Sequence, residues 1–127
     1  VRVIVTGAKA WPDKKAVFTA LEKLLRASGP FVLVHGACPT GADAQAEEWY
    51  QLIGQEQGVM RVRYPAKWER PDGTVNRGAG YTRNAEMVSK GADLVLAFPL
   101  PEGRGTQHTV DLARKAGIEV IEHGWEG

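Results

Sequence analysis

Gly103-Arg104-Gly105-Thr106 follows one apolar run and opens an amphipathic one. Glycines in such a turn leave main-chain N–H groups bare, and a helix start adds the equivalent of about half a positive charge. The segment therefore suits an anion such as phosphate, with Arg104 adding a cation and Thr106 both capping the helix and bonding a phosphate oxygen. An ordinary glycine turn with a threonine cap would carry the same residues. A second turn, Gly36-Ala-Cys-Pro-Thr-Gly-Ala-Asp43, also leads from a strand-like run into a helix-like one. Gly36, Thr40 and Gly41 would approach a ribose or phosphate there. Asp43 would accept from a sugar hydroxyl or brace the loop from inside. Gly7 ends the first apolar run and supplies a third bare tip.

Arg83-Asn84-Ala-Glu86-Met87 follows Gly78-Ala-Gly80. The spacing predicts Arg83 and Asn84 in the first turn of a helix, with Glu86 on the face of Arg83. Arg83 would clamp a phosphate with two parallel bonds, as lysine cannot, and Asn84 would meet ribose or base. Arg83 and Glu86 are also the catalytic pair to test for a hydrolase; the alternative for them is a surface ion pair. Trp68 would stack on a base or pin its loop to the domain. Cys38, beside a helix start and three residues from His35, is a weak candidate nucleophile. His35, Cys38, His108 and His123 show no CxxC or HxxxH spacing, so no metal site is expected and no cofactor is required.

These residues need a scaffold, and the apolar pattern supplies one. Val1–Val5, Phe31–His35, Gly58–Tyr64, Asp93–Phe98 and Ile118–Ile121 read as strands. Helical spacing follows Asp13, runs from Ala42 to Ile53, from Tyr81 to Lys90 and from Thr106 to Ala116. The last six residues read as a tail. Pro65 to Gly80, about 16 residues, shows no period, and loops of that length are usually functional or disordered. Short, nearly continuous apolar strands alternating with amphipathic helices indicate an α/β domain with a five-stranded parallel sheet. Right-handed crossovers favour the order 3-2-1-4-5. In that order the glycine-rich tips meet where the strand order reverses, the usual ligand crevice of such sheets.

Composition narrows the function classes. The 127 residues are 43% hydrophobic and 24% charged, with net charge +1 and one cysteine. That describes one globular domain over residues 1–127, in a reducing cytoplasm, with no apolar run long enough for a membrane span. No basic stretch followed by an apolar one opens the sequence. Between Met60 and Asn84 six cations stand against two acids. Such a face is either simply solvated or draws an anion toward a cleft.

In order along nearly the whole chain, Val3-Ile-Val-Thr-Gly7, Trp11-Pro-Asp13, Val34-His-Gly-Ala-Cys-Pro-Thr-Gly-Ala-Asp43, Glu48-Trp49, Tyr64-Pro-Ala-Lys-Trp68, Ala79-Gly80, Arg83-Asn-Ala-Glu-Met87, Gly91-Ala-Asp-Leu-Val-Leu-Ala-Phe98 and Gly103-Arg-Gly-Thr106 resemble the YspA (cpYpsA-related) branch of the SLOG superfamily. The resemblance implies a Rossmann-like three-layer sandwich that senses or processes a nucleotide or nucleotide-derived small molecule, commonly as a homodimer or higher homo-oligomer. More distant relatives are the LOG-type phosphoribohydrolases and the DNA-binding DprA/Smf proteins. They define two alternatives: hydrolysis of a nucleotide, and single-stranded nucleic-acid binding through the Met60–Arg83 region with Trp68 and Tyr81. Two departures bear on the first. The LOG pattern PGGxGTxxE places a glutamate where this chain has Thr109, with Asp111 two residues on, although Arg83 matches the LOG arginine. Its leading PGG is replaced by Pro99-Leu-Pro-Glu102, which sets a carboxylate beside the expected anion site.

Overall fold

Successive residues of a strand face opposite ways, and that parity sorts the core. In the computed structural model, which describes residues 1–125, β1 (Arg2–Gly7) buries Val3 and Val5 on one face and Ile4 on the other. Both faces of the sheet are therefore covered. Helices α1 (Lys14–Ser28) and α2 (Gly41–Trp49) lie together over the Val3 face, which also carries Leu33, Leu96 and Phe98. Helices α3 (Ala79–Ser89) and α4 (Arg104–Lys115) lie together over Ile4, Val34 and Val95. The remaining strands are β2 (Val32–His35), β3 (Met60–Arg63), β4 (Leu94–Phe98) and β5 (Glu119–Glu122). All four pairings are parallel, in the order β3-β2-β1-β4-β5. This is the expected Rossmann-like three-layer sandwich.

Local chemistry sets most of the boundaries. Asp13 Oδ1 accepts from the Ala16 N–H at 3.1 Å and starts α1. Gly29, at φ +75°, ends it, its N–H bonding the Leu25 carbonyl. Several edges differ from expectation. α2 does not stop at Ile53 but passes through a π-helical turn (Tyr50–Gly54) into a 3-10 turn (Gln55–Gln57). A Cβ at Gly54 would press on the buried Trp49 ring, so this glycine lets the chain continue over it. α3 and α4 each begin two residues early, at Ala79 and Arg104.

The long connection is ordered. Trp68 and Asn76 bond backbone to backbone, as do Arg70 and Thr74, while Glu69 and Val75 form an antiparallel bridge. A small hairpin results, its tip closed by Asp72, which accepts from both the Thr74 N–H and its hydroxyl. The expected tail also packs back. β5 runs to Glu122, the His123 ring stacks on Phe98 at 4.8 Å, and Trp125 meets Trp11 edge-on at 6.2 Å. Glu126 and Gly127 lie outside the described residues.

Below the β2 tip, Glu47 ties three elements together. It takes bonds from His35 Nε2 at 2.8 Å, Gln51 at 2.8 Å and Arg61. His35 Nδ1 accepts the Ala37 N–H, so the neutral ring keeps its proton on Nε2 and donates it to Glu47. Burial works against the Glu47 charge, but the His35, Gln51 and Arg61 bonds prevail and hold the carboxyl below its ordinary 4.5. A depressed carboxylate contributes stability that is present above the unfolded value and lost as pH falls through the folded one. Thermal melts will therefore show Glu47→Gln about 1 kcal/mol less stable than wild type at neutral pH. The deficit will close as pH drops below 4.5; a deficit independent of pH would show that the charge contributes nothing.

Candidate functional site

At the C-terminal ends of β1 and β4, where the strand order reverses, a cleft of about 330 Å³ opens. That is the low end of the size range for small-molecule sites. The β1 tip supplies Thr6 to Ala10, the β2 tip Gly36 and Cys38, and α3 Arg83, Asn84 and Met87. Val5, Asp43, Leu100 and Glu102 to Thr106 complete the wall. The structure thus brings Gly7, Gly36, Asp43, Arg83, Asn84, Gly103, Arg104, Gly105 and Thr106 around one space. Thr40, Gly41, Trp68 and Glu86 lie outside it.

The α4 wall has the chemistry of an anion site. Gly103 stands at the head of α4, and no side chain caps the helix. The first N–H groups of a helix lack intrahelical acceptors, so those of Arg104, Gly105 and Thr106 remain for a guest. Thr106 is correspondingly not the cap: it sits in the first turn, buried, where the early helix start carries it. Thr109, at the position of the LOG glutamate, is buried and directs its hydroxyl to the Gly105 carbonyl at 3.4 Å. Asp111 bonds Gln107 on the exposed side. Glu102 does line the cleft, so the carboxylate expected to repel an anion stays near it.

The β2 tip differs from the expected phosphate cradle. Its amides already have an anion. Asp43 Oδ2 accepts from Gly36 N–H at 3.1 Å and Cys38 N–H at 3.3 Å, and between them Ala37 takes φ +57°. Of its two possible roles, Asp43 fills the internal brace, while still lining the cleft. Burial pushes its carboxyl above the ordinary 3.8; the two amide bonds and the positive field of Arg83 pull the other way. Gly41, at φ +75°, is needed because a Cβ there would collide with the Ala8 carbonyl, and Thr40 is exposed at the head of α2. Cys38 lines the cleft, but the His35 ring is engaged by Glu47 and Ala37 and does not serve the thiol.

Arg83 is a staple before it is a clamp. Its Nε donates to Asn84 Oδ1 at 2.8 Å, and Nη1 donates to the Gly36 carbonyl and to that of Tyr64 at 3.4 Å. A Cβ at Gly36 would collide with the guanidinium, so glycine there makes room for arginine. Because α3 begins at Ala79, Arg83 falls in its second turn rather than its first. Asn84 is buried and ties α3 to α4, donating to the Gly105 carbonyl at 3.2 Å and meeting His108 Nδ1 at 3.3 Å. Glu86 points to solvent and makes no pair with Arg83. Trp68 anchors the hairpin: its ring lies over Gly80, and Lys9 Nζ sits 5.3 Å from its centroid.

Lys9 was not legible as a site residue, although a cation two positions beyond Gly7 at a strand tip was the available signal. With Arg83 and Arg104 it makes three cations against Asp43 and Glu102 around the cleft. Among the described residues no three His, Cys, Asp or Glu side chains form a metal-binding group. No helix there is long and apolar enough to cross a membrane.

Comparisons with known proteins agree with this architecture. A family model described as YspA, cpYpsA-related SLOG family matches residues 1–70, from β1 through the Trp68 region. The Gene 61 protein of Mycobacterium phage D29 is 42% identical over 125 residues, covering 97% of this chain and 96% of that protein. The C-terminal domain of a Pyrococcus furiosus hydrogenase superposes with a TM-score of 0.55 at 14% identity, covering 96% of this chain and 90% of that one. That last likeness is one of fold.

Proposed function

The chain belongs to the YspA, cpYpsA-related SLOG family, and from that premise we propose that it binds a nucleotide or nucleotide-derived small molecule in the cleft between β1 and β4, as a sensor or processor of that ligand. One observation carries the reading: the uncapped start of α4, Arg83 and Lys9 open on the same space at the sheet's switch point. Bare amides and fixed cations together favour a phosphate far more than either alone.

Gly105 supplies the test. A Cβ built there meets nothing within 4 Å, so the fold alone has no use for glycine at this helical position. Gly105→Ala will raise stability by roughly 0.5 kcal/mol, as alanine does in helices. If phosphate approaches the Gly105 amide, the same methyl will weaken binding of a nucleoside monophosphate about fivefold, or ~1 kcal/mol, by calorimetry. Unchanged affinity in the stabilised variant would remove α4 from the site. Assay of the same mixture for free base decides between sensing and processing. Asp43 and Glu102 are the acidic side chains lining the cleft, whereas Glu86 is too exposed to serve there.

A further inference from the structure

A nucleotide has two ends of different chemistry, and the cleft accommodates only one of them well. Its lining holds amides, three cations, two carboxylates and aliphatic groups but no aromatic ring. Beyond Leu100, Gly103 and Arg104, which belong to both, lies a second depression of about 520 Å³. It is lined by the two prolines flanking Leu100, by Gln107, and by Gly124 and Trp125. Trp125 is 47% exposed, and its ring is held by a T-shaped contact with the buried Trp11, centroids 6.2 Å apart. A held aromatic ring with an open surface is a stacking platform, and Arg104 adds a planar cation beside it.

Resting on the nucleotide reading, we propose that this depression is the base subsite: the ligand's phosphate meets the start of α4, and its flat heterocycle crosses Gly103 to lie on Trp125. The competing aromatic is Trp68, also half-exposed, but its ring already lies on Gly80 with Lys9 over it. The replacement of PGG by Pro99-Leu100-Pro101-Glu102 then has a purpose. It gives up glycines before Gly103 and builds an apolar wall for a ring.

The experiment compares AMP with ribose 5-phosphate, which shares the sugar phosphate but lacks the base. Wild type should bind AMP about tenfold or more tightly than ribose 5-phosphate, the scale of one base–aromatic stack. Trp125→Ala should reduce that ratio at least about fivefold while leaving ribose 5-phosphate affinity unchanged, and Trp125→Phe should restore most of it. Gln107→Trp, on the exposed side of α4, should lower the ratio by filling the depression. A ratio unmoved by Trp125→Ala and Gln107→Trp, or moved instead by Trp68→Ala, overturns the subsite while leaving the anion site standing. Failure of both compounds to bind wild type overturns the nucleotide reading and the subsite with it.

Discussion

Asp43→Ala will cost about 3 kcal/mol of stability, a larger loss than removal of most buried polar groups of this size. The loss does not come from deleting a favourable charge. Burial raises the Asp43 carboxyl above its ordinary 3.8, so the charged form is less comfortable folded than unfolded. What the carboxylate does is satisfy the Gly36 and Cys38 amides, and orphaned buried donors cost about 1–3 kcal/mol each. Those bonds also hold Ala37 in the left-handed region, which costs a residue with a Cβ about 1 kcal/mol or more. For a domain of this size the melting temperature should fall by about 10 °C. Asp43→Asn, which keeps an acceptor oxygen, should lose under half as much. The pH dependence has a definite sign. A raised carboxyl contributes stability present below its unfolded value and lost as pH rises through the folded one. The margin of wild type over Asp43→Asn should therefore shrink from acid toward neutral pH. An alanine variant melting within about 2 °C of wild type would mean that the turn holds itself without the carboxylate.

The same loop shows what was legible in the sequence. Gly36 to Asp43 announced a tight strand-to-helix turn with an acid at its end, and local spacing allowed both a sugar acceptor and an internal brace. Choosing between them required knowing where the amides point, which depends on the positive φ of Ala37, a residue type that carries no such signal. Strand order was readable because β-branched runs and right-handed crossovers leave few topologies. Long-range partners were not. Glu47 sits on α2 among helix-forming residues, and nothing local indicates that His35 and Arg61 both reach it. His35 thereby turns from a possible base for Cys38 into a structural donor. The hairpin from Trp68 to Asn76 was hidden because its cross-strand bonds span a segment too short and polar for strand periodicity to register.

Arg83→Ala will weaken nucleoside monophosphate binding by about 1.5–3 kcal/mol, or roughly 10- to 150-fold, the worth of a charged hydrogen bond to phosphate. Two of its nitrogens are engaged by Asn84, Gly36 and Tyr64, which orient the guanidinium and leave Nη2 for a guest. A cation held in place before the ligand arrives loses little entropy on binding, which strengthens the contact. The staple itself has value. Losing the bonds to the Gly36 and Tyr64 carbonyls should lower stability by about 1–2 kcal/mol, so each variant must be titrated well below its melting range. Arg83→Lys separates the two roles. An ammonium keeps the charge but cannot bond Asn84, the β2 tip and a phosphate in one plane. It should recover less than half of the lost affinity, with stability close to that of alanine. Folded Arg83→Ala with wild-type affinity would reduce this arginine to its structural bonds and leave Lys9, Arg104 and the α4 amides as the anion site.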